Sequence, residues 1–212
     1  GSMSDNSRIY AVEKDSVSGR IAKLLYPDAD IQITGFEKRD FSDNFFDVAV
    51  GNIPFGGFKI SDRRYDKYNF AVHDYFIAKT LDKVRPGGVI AFITSSGTLD
   101  KANPSVRKYI SQRAELLGAV RLPNNAFKSY AGTEVTSDII FLRKREKMID
   151  IAPDWVYTSK NPDGLVLNNY FIENPKMILG KVVEGNKLYG KGTMVVPFEN
   201  SDLKVILNEA VK

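Results

Sequence analysis

The sequence predicts an α/β fold: a mostly parallel β-sheet flanked by helices, with one late antiparallel edge strand and a small irregular C-terminal appendage. Three observations point there. Short β-rich apolar runs alternate with segments of helical period from residue 8 to residue 145. Two of the runs, FDVAV at Phe46–Val50 and VIAFIT at Val89–Thr94, are almost wholly apolar, as in strands buried on both faces of a parallel sheet. The run at Val135–Leu142 follows a glycine-containing turn instead of a helix, which suits an antiparallel addition at the edge.

Arg8–Glu13 (RIYAVE) is the first strand-like run. A capping pattern at Ser16 opens an amphipathic helix that carries Val17, Ile21, Leu24 and Leu25 and closes before Pro27. Ile31–Thr34 is a second short strand and Phe46–Val50 a third. Beyond a polar and aromatic loop over 51–68, Phe70, Ile77, Leu81 and Val84 share one face of a helix over 70–84, and Pro86-Gly87-Gly88 stops it. After the strand at Val89–Thr94, Asn103-Pro104 caps a helix to about Ala114, and Leu116–Val120 reads as the strand before the edge run. From 148 to 212, prolines and glycines cut the periodicity into short pieces, so this stretch is read as the appendage. Gly1-Ser2-Met3 looks like a protease-cleavage scar before a start methionine. The expected division is therefore tag and linker over 1–7, one domain over 8–147, and the appendage over 148–212.

A chain of 212 residues, 43% hydrophobic and 26% charged, can bury one principal core. With no cysteine, disulfides, thiolate nucleophiles and cysteine zinc sites are excluded; with one histidine, His73, so is a multi-histidine metal cluster. His73 falls on the apolar helix face beside Phe70 and Ile77, where a partly buried packing residue is the expectation. A formal charge of +4 is compatible with a polyanionic partner and does not establish one. No apolar run approaches the roughly 18 residues that span a bilayer, and no signal sequence opens the chain, so a cytoplasmic protein without a membrane partner is expected.

The segment that carries chemistry is Gly51-Asn52-Ile53-Pro54-Phe55-Gly56, into which the third strand empties. In open α/β sheets ligands bind beyond the carboxyl ends of the strands. The Asn52 amide oxygen and the Ile53 carbonyl are two acceptors, enough to hold both hydrogens of an exocyclic amine and direct its lone pair outward. Pro54 restrains the backbone, and Phe55 offers a face on which a base can stack for about 1–3 kcal/mol. The same tetrapeptide would also suit an ordinary strand-to-loop turn with a buried phenylalanine.

This segment resembles the adenine-N6-specific DNA methyltransferases, amino-methyltransferases whose signature is Asn/Asp-Pro-Pro-aromatic at the end of the fourth strand. Here Ile53 replaces the first proline; the family uses that residue through its main-chain carbonyl, which isoleucine retains. The resemblance implies a Rossmann-like class I methyltransferase sheet and the cofactor S-adenosylmethionine. It makes Glu13 the acceptor for the cofactor ribose hydroxyls and Asp40-Phe41 the acid and aromatic pair around the cofactor adenine. It makes Phe127 or Tyr130, ahead of the late strand, the aromatic group of the target pocket. Each of these residues alone would equally suit a strand-end charge, a turn cap or a core position. The loop over 56–68 interleaves Lys59, Arg63, Arg64 and Lys67 with Phe58, Tyr65 and Tyr68, which suits DNA phosphates and bases as well as it suits a solvated loop.

The family's glycine loop, Gly-x-Gly at the end of a strand some 20–25 residues before the ribose acid by analogy with nucleotide folds, is not found ahead of Glu13. The expectation is a sheet without that first, central strand, leaving a gap, an abnormal pairing or dependence on another chain, and a fragment inactive alone. The run from Leu167 to Pro175 resembles the segment after the methylase region in large methylase and helicase fusions of phages and mobile elements, which implies a helicase region in the same parent polypeptide. The reaction implied is direct displacement by a flipped adenine, needing no cysteine. Methylation of RNA guanine or of a protein glutamine uses a similar site, and a non-catalytic DNA-binding module is the remaining alternative.

Overall fold

The structure, a computed structural model, describes residues 6–128, 132, 134–187 and 190–211, with the backbone alone at 186, 187, 190 and 191. Asp15, one residue before the expected Ser16, caps the first helix: its carboxylate accepts from the Ser18 N–H at 2.7 Å and satisfies an amide that a helix start leaves open. That helix, α1 (Ser16–Leu25), joins two parallel strands, β1 (Tyr10–Glu13) and β2 (Asp30–Ile33), paired from Tyr10 opposite Asp30 to Glu13 opposite Ile33.

A second sheet follows. Its members are β3 (Phe46–Asn52), β4 (Val84–Ser95), β5 (Ala114–Leu122) and β6 (Ser137–Lys144), in the spatial order β3-β4-β6-β5. Between them run α2 (Val72–Lys83), α3 (Gly97–Asp100) and α4 (Ser105–Arg113). β3 and β4 are parallel; β6 is antiparallel to both β4 and β5. The late strand is thus antiparallel as expected but interior, and β5 is the edge. Its composition explains the position: Ile140 and Leu142 are buried in the main core, while Ile139 packs on the opposite side with Leu203, Ile206 and Leu207. A strand apolar on both faces belongs inside a sheet.

Helix α2 ends at Lys83, before the expected Pro-Gly-Gly stop. Pro86-Gly87-Gly88 lies inside β4, where the register steps from Phe46 opposite Val84 to Val48 opposite Val89. The extra residues form a bulge. Gly88 is packed so tightly there that a β-carbon would meet the Asp47 carbonyl oxygen at 2.8 Å and Val84 Cγ1 at 2.5 Å.

The core lies on the face covered by α2 and α4, where Ile77, Leu81 and Ile110 meet Ile90, Phe92, Ile140 and Leu142. Each such side chain is worth about 1.5–3 kcal/mol of burial. Leu167, Phe171, Ile178 and Val195, from beyond residue 148, complete the same cluster. Leu167 and Val195 belong to the hairpins of β7 (Thr158–Lys160) with β8 (Val166–Asn168) and of β9 (Lys181–Lys187) with β10 (Gly190–Val196), Phe171 to the short helix Asn169–Glu173, and Ile178 follows the single turn Pro175–Met177. A last helix, Leu203–Ala210, covers Val120 and Leu122. Among the described residues no helix is long and apolar enough to cross a membrane.

β3 departs from expectation: Val48 is 56% and Val50 76% exposed, where burial on both faces is predicted. The cause is a split in the sheet. Among the described residues β1 pairs only with β2 and β3 only with β4, so their facing edges carry no ladder. Tyr10, Phe41, Phe45 and Phe46 pack edge-to-face across the amino end of the split, with ring centroids 4.9–6.2 Å apart. On α1, Val17, Ile21, Leu24 and Leu25 are exposed as well. Of the three outcomes expected for this sheet, the structure has the gap.

Candidate active site

β3 and β4 deliver Asn52 and Ile93 side by side at their carboxyl ends. The Ile53 N–H donates to the Ile93 carbonyl at 3.1 Å, carrying the ladder one residue into the turn. The Ile53 side chain is buried at 4% exposure in the main core. Where a proline would stiffen this turn through its ring, isoleucine anchors it through packing. Asn52 and Pro54 are exposed and Phe55 is partly so. Gly56 follows with φ of 154°, a value residues with a β-carbon rarely adopt, and lets the chain pass the Phe58 ring. The Phe58 carbonyl accepts from the Val72 N–H at 3.0 Å, so α2 begins directly behind this loop. On the other side of the split, Glu13 ends β1; its backbone carbonyl accepts from the Thr34 N–H at 2.9 Å and its carboxylate from the Asp15 N–H at 2.7 Å. An amide, a carbonyl and an aromatic ring therefore stand at the carboxyl end of β3 and a carboxylate at the carboxyl end of β1, two strands whose first residues, Tyr10 and Phe46, are in ring contact.

Asp40 and Phe41 are placed away from that end. The Asp40 carboxylate is 2.9 Å from Lys83 Nζ, at the last turn of α2, and the Phe41 ring lies 4.9 Å from Phe46, the first residue of β3. Six extended residues, about 20 Å, separate Phe46 from Asn52. The reason is that β2 is only four residues long; the chain turns back after Thr34 and descends along α2. Phe36 and Glu37 stand immediately beyond β2, in the place expected of Asp40 and Phe41.

Arg64 also lies at the amino end. Its guanidinium grips Asp43 with two hydrogen bonds of 3.0 and 2.9 Å and reaches Asp82 at 2.9 Å, so its charge is committed within the protein. Hydrogen bonds from Arg64, then from Lys83, pull the Asp43 carboxyl down to about 2 against the opposing effect of burial. Of the remaining loop cations, Lys59 donates to Asn69, Lys67 sits 5.0 Å over the Tyr68 ring, and Arg63 is exposed. Phe127 is at the carboxyl end but beside β5, packed with Val120, Leu122 and Leu179. Three strand spacings, about 14 Å, part β5 from β3. Tyr130 lies outside the described residues.

His73 is buried, as expected, and burial lowers its pKa; its Nε2 is 2.8 Å from Lys101 Nζ. Four basic residues buried among the described residues, Lys79 and Lys83 of α2, Arg107 of α4 and Arg121 of β5, are not foreseen from the sequence. Arg121, 1% exposed, pairs with both oxygens of Asp138 at 2.8 and 2.9 Å and with Asp100 at 2.7 Å, over the face of Phe171 at 4.2 Å. Burial opposes its charge and the carboxylates outweigh it, so its pKa is raised. Asn168 donates its amide to the carbonyls of Leu99 and Trp155 at 2.8 Å, and its N–H to Asp100, which ties residues beyond 148 to the same end of the sheet.

The family profile described as N-6 DNA Methylase matches residues 5–166. The chain is similar to Defense against restriction protein B of Escherichia phage P1, 39% identical over 140 residues, which are 63% of this chain and 6% of that protein. It is similar to the type I restriction enzyme EcoEI methylase subunit of Escherichia coli, 28% identical over 142 residues, 63% of this chain and 27% of the subunit. The chain thus spans a small part of the curated relatives it matches. Among solved structures, the modification subunit of a putative type I restriction enzyme from Vibrio vulnificus shares the fold, with a TM-score of 0.55 at 15% identity over 94% of this chain and 49% of that one.

Proposed function

Because this chain belongs to the N-6 DNA methylase family, we propose that it carries the substrate half of an S-adenosylmethionine-dependent adenine-N6 DNA methyltransferase. The observation that carries the reading is the turn at Asn52–Phe55, held at the tip of β3 by the Ile53–Ile93 hydrogen bond and by burial of Ile53. The Asn52 amide oxygen and the Ile53 carbonyl accept the two hydrogens of the adenine amine, leaving its lone pair aimed at an electrophile. Phe55 stacks on the flipped base, and holding the base there supplies the orientation that displacement needs. Lys59 and Arg63, exposed on the loop beyond, are the cations placed to meet DNA phosphates.

The residues present fit one end of the cofactor. Glu13 offers a carboxylate at the strand tip where two ribose hydroxyls can donate, and Phe36 and Glu37 follow the end of β2, the strand paired with β1. S-adenosylmethionine, when bound, supplies an electrophilic methyl group. The split between β1 and β3 runs through the place where the rest of the cofactor would need backbone amides, so the 212-residue chain is inactive alone and gains activity only with a further strand of the parent polypeptide, whose helicase region is a partner in the same reading.

The test is methyl transfer from radiolabelled S-adenosylmethionine to DNA, RNA and protein, using the parent polypeptide. Label in the N6 position of adenine is expected, and Asn52→Ala should lower kcat by about 100-fold or more, as loss of one preorganised polar contact does elsewhere, with cofactor affinity unchanged. Label in RNA or protein would move the reading to guanine or glutamine methylation; label nowhere would leave a DNA-binding module. The isolated chain should also bind S-adenosylmethionine poorly, and calorimetry showing micromolar affinity would overturn that expectation.

A further inference from the structure

We infer that Lys79 is a positioning residue that couples the segment after β2 to the loop after β3, so that the cofactor side and the substrate side of the site move together. It lies mid-way along α2 and is 4% exposed. Its ammonium donates to the Phe36 carbonyl at 2.9 Å, to the Glu37 carbonyl at 3.4 Å and to Asp62 Oδ2 at 2.9 Å. Two of those acceptors belong to the backbone just beyond β2, and the third to the loop that begins at Asn52. All three donors of one ammonium are thus divided between the two segments. The Phe36 and Tyr75 rings flank the charge at 5.0 and 5.7 Å, and the Tyr75 hydroxyl donates to the same Asp62 oxygen at 2.7 Å.

An apolar side chain would fill this position at lower cost, since burying an ammonium is offset only by good partners. A cation suits the position because it grips two chain segments that have no ladder between them. A second tie exists lower on α2, where Arg64 of the loop holds Asp43 of the other segment and Lys83 bridges Asp43 to Asp40. Lys79 is the upper tie, nearer to Glu13 and Asn52. Displacing Phe36 or Glu37 therefore pulls on Asp62, and through it on the loop that faces the substrate. The relevance of this to catalysis rests on the proposed function, whereas the coupling itself does not.

Both segments contain trypsin sites, Lys38 and Arg39 in one, Arg63 and Lys67 in the other, so limited trypsin digestion of the 212-residue chain followed by mass spectrometry reads each separately. Lys79→Met should speed cleavage at both pairs by about tenfold, the scale usual for coupled sites, while cleavage at Arg143 and Lys144 in β6 stays unchanged and so reports that the fold is intact. The decisive variant is Asp62→Asn, which alters only the loop's side of the clasp. Coupling requires faster cleavage at Lys38 and Arg39 as well. Faster cleavage confined to Arg63 and Lys67, or no change at either pair, would overturn the inference. No methyl transfer enters the measurement, so failure of the proposed function and failure of the clasp are read in different assays.

Discussion

Replacing Arg121 by methionine removes the cation from a buried trio and leaves Asp138, 0% exposed, and Asp100, 5% exposed in its side chain, facing the vacated position. Removing one partner of a buried ion pair costs about 3–5 kcal/mol, because the remaining charge stays desolvated. Loss of the guanidinium over Phe171 adds about 1 kcal/mol, and the methionine side chain recovers roughly as much through packing. The net expectation is a loss of about 4 kcal/mol, a large share of the 5–15 kcal/mol typical of a folded domain. Asp100→Asn should cost less, about 2 kcal/mol, because the two bonds between Arg121 and Asp138 survive it. Urea unfolding followed by far-UV circular dichroism gives both values from the midpoint at constant m. If Arg121→Met lowers stability by less than about 1 kcal/mol, the trio is not a net stabiliser in the sense argued from burial, and the account of how residues beyond 148 are held to the sheet fails with it.

Acid should weaken the amino end of the sheet. Asp43 is held at about 2, below its ordinary 3.8, so the native state binds fewer protons than the unfolded one: the stabilisation is complete above the unfolded value and is lost as pH falls toward the folded one. With the Asp43 side chain 44% exposed, screening reduces the effect to about 1 kcal/mol. Urea midpoints between about pH 5 and pH 2 should fall more steeply in the natural chain than in Asp43→Asn, and identical slopes would refute the assignment. Gly88→Ala should cost about 2 kcal/mol by overpacking against fixed backbone; a melting temperature within a degree or so of the natural chain would show that the bulge in β4 yields easily.

Strand existence was legible because apolar runs and turn residues are local signals. That Asn52 to Phe55 leave the sheet at the end of β3 was legible too, since this placement needs only the end of one strand. What failed was whatever depends on a neighbour. Val48 and Val50 read as buried because their pattern assumes a covered sheet, and the pattern carries no information about which edge is open. Asp40 and Phe41 match the expected residue types, but a four-residue β2 sends them down to Lys83. Arg64 reads as a free cation until Asp43 and Asp82, 21 and 18 positions away, are brought to it. Lys79 and Arg121 left no sequence signal at all: an isolated lysine or arginine in a helix or strand is ordinarily solvated, and only the assembled fold supplies their acceptors.

The interior position of β6 also fixes a sequence of events during synthesis. β5 is made first, yet its strand neighbour in the sheet is β6, which follows it. Until residue 144 has emerged, β5 has no ladder to join, Arg121 has no Asp138, and the far side of β4 is an open template. Two strands must then dock in one late step. Non-local pairing of this kind is slow, and the interval leaves a hydrophobic β4 edge available to other nascent chains. A polypeptide released anywhere between β5 and the end of β6 therefore forfeits half of the four-stranded sheet rather than a quarter of it.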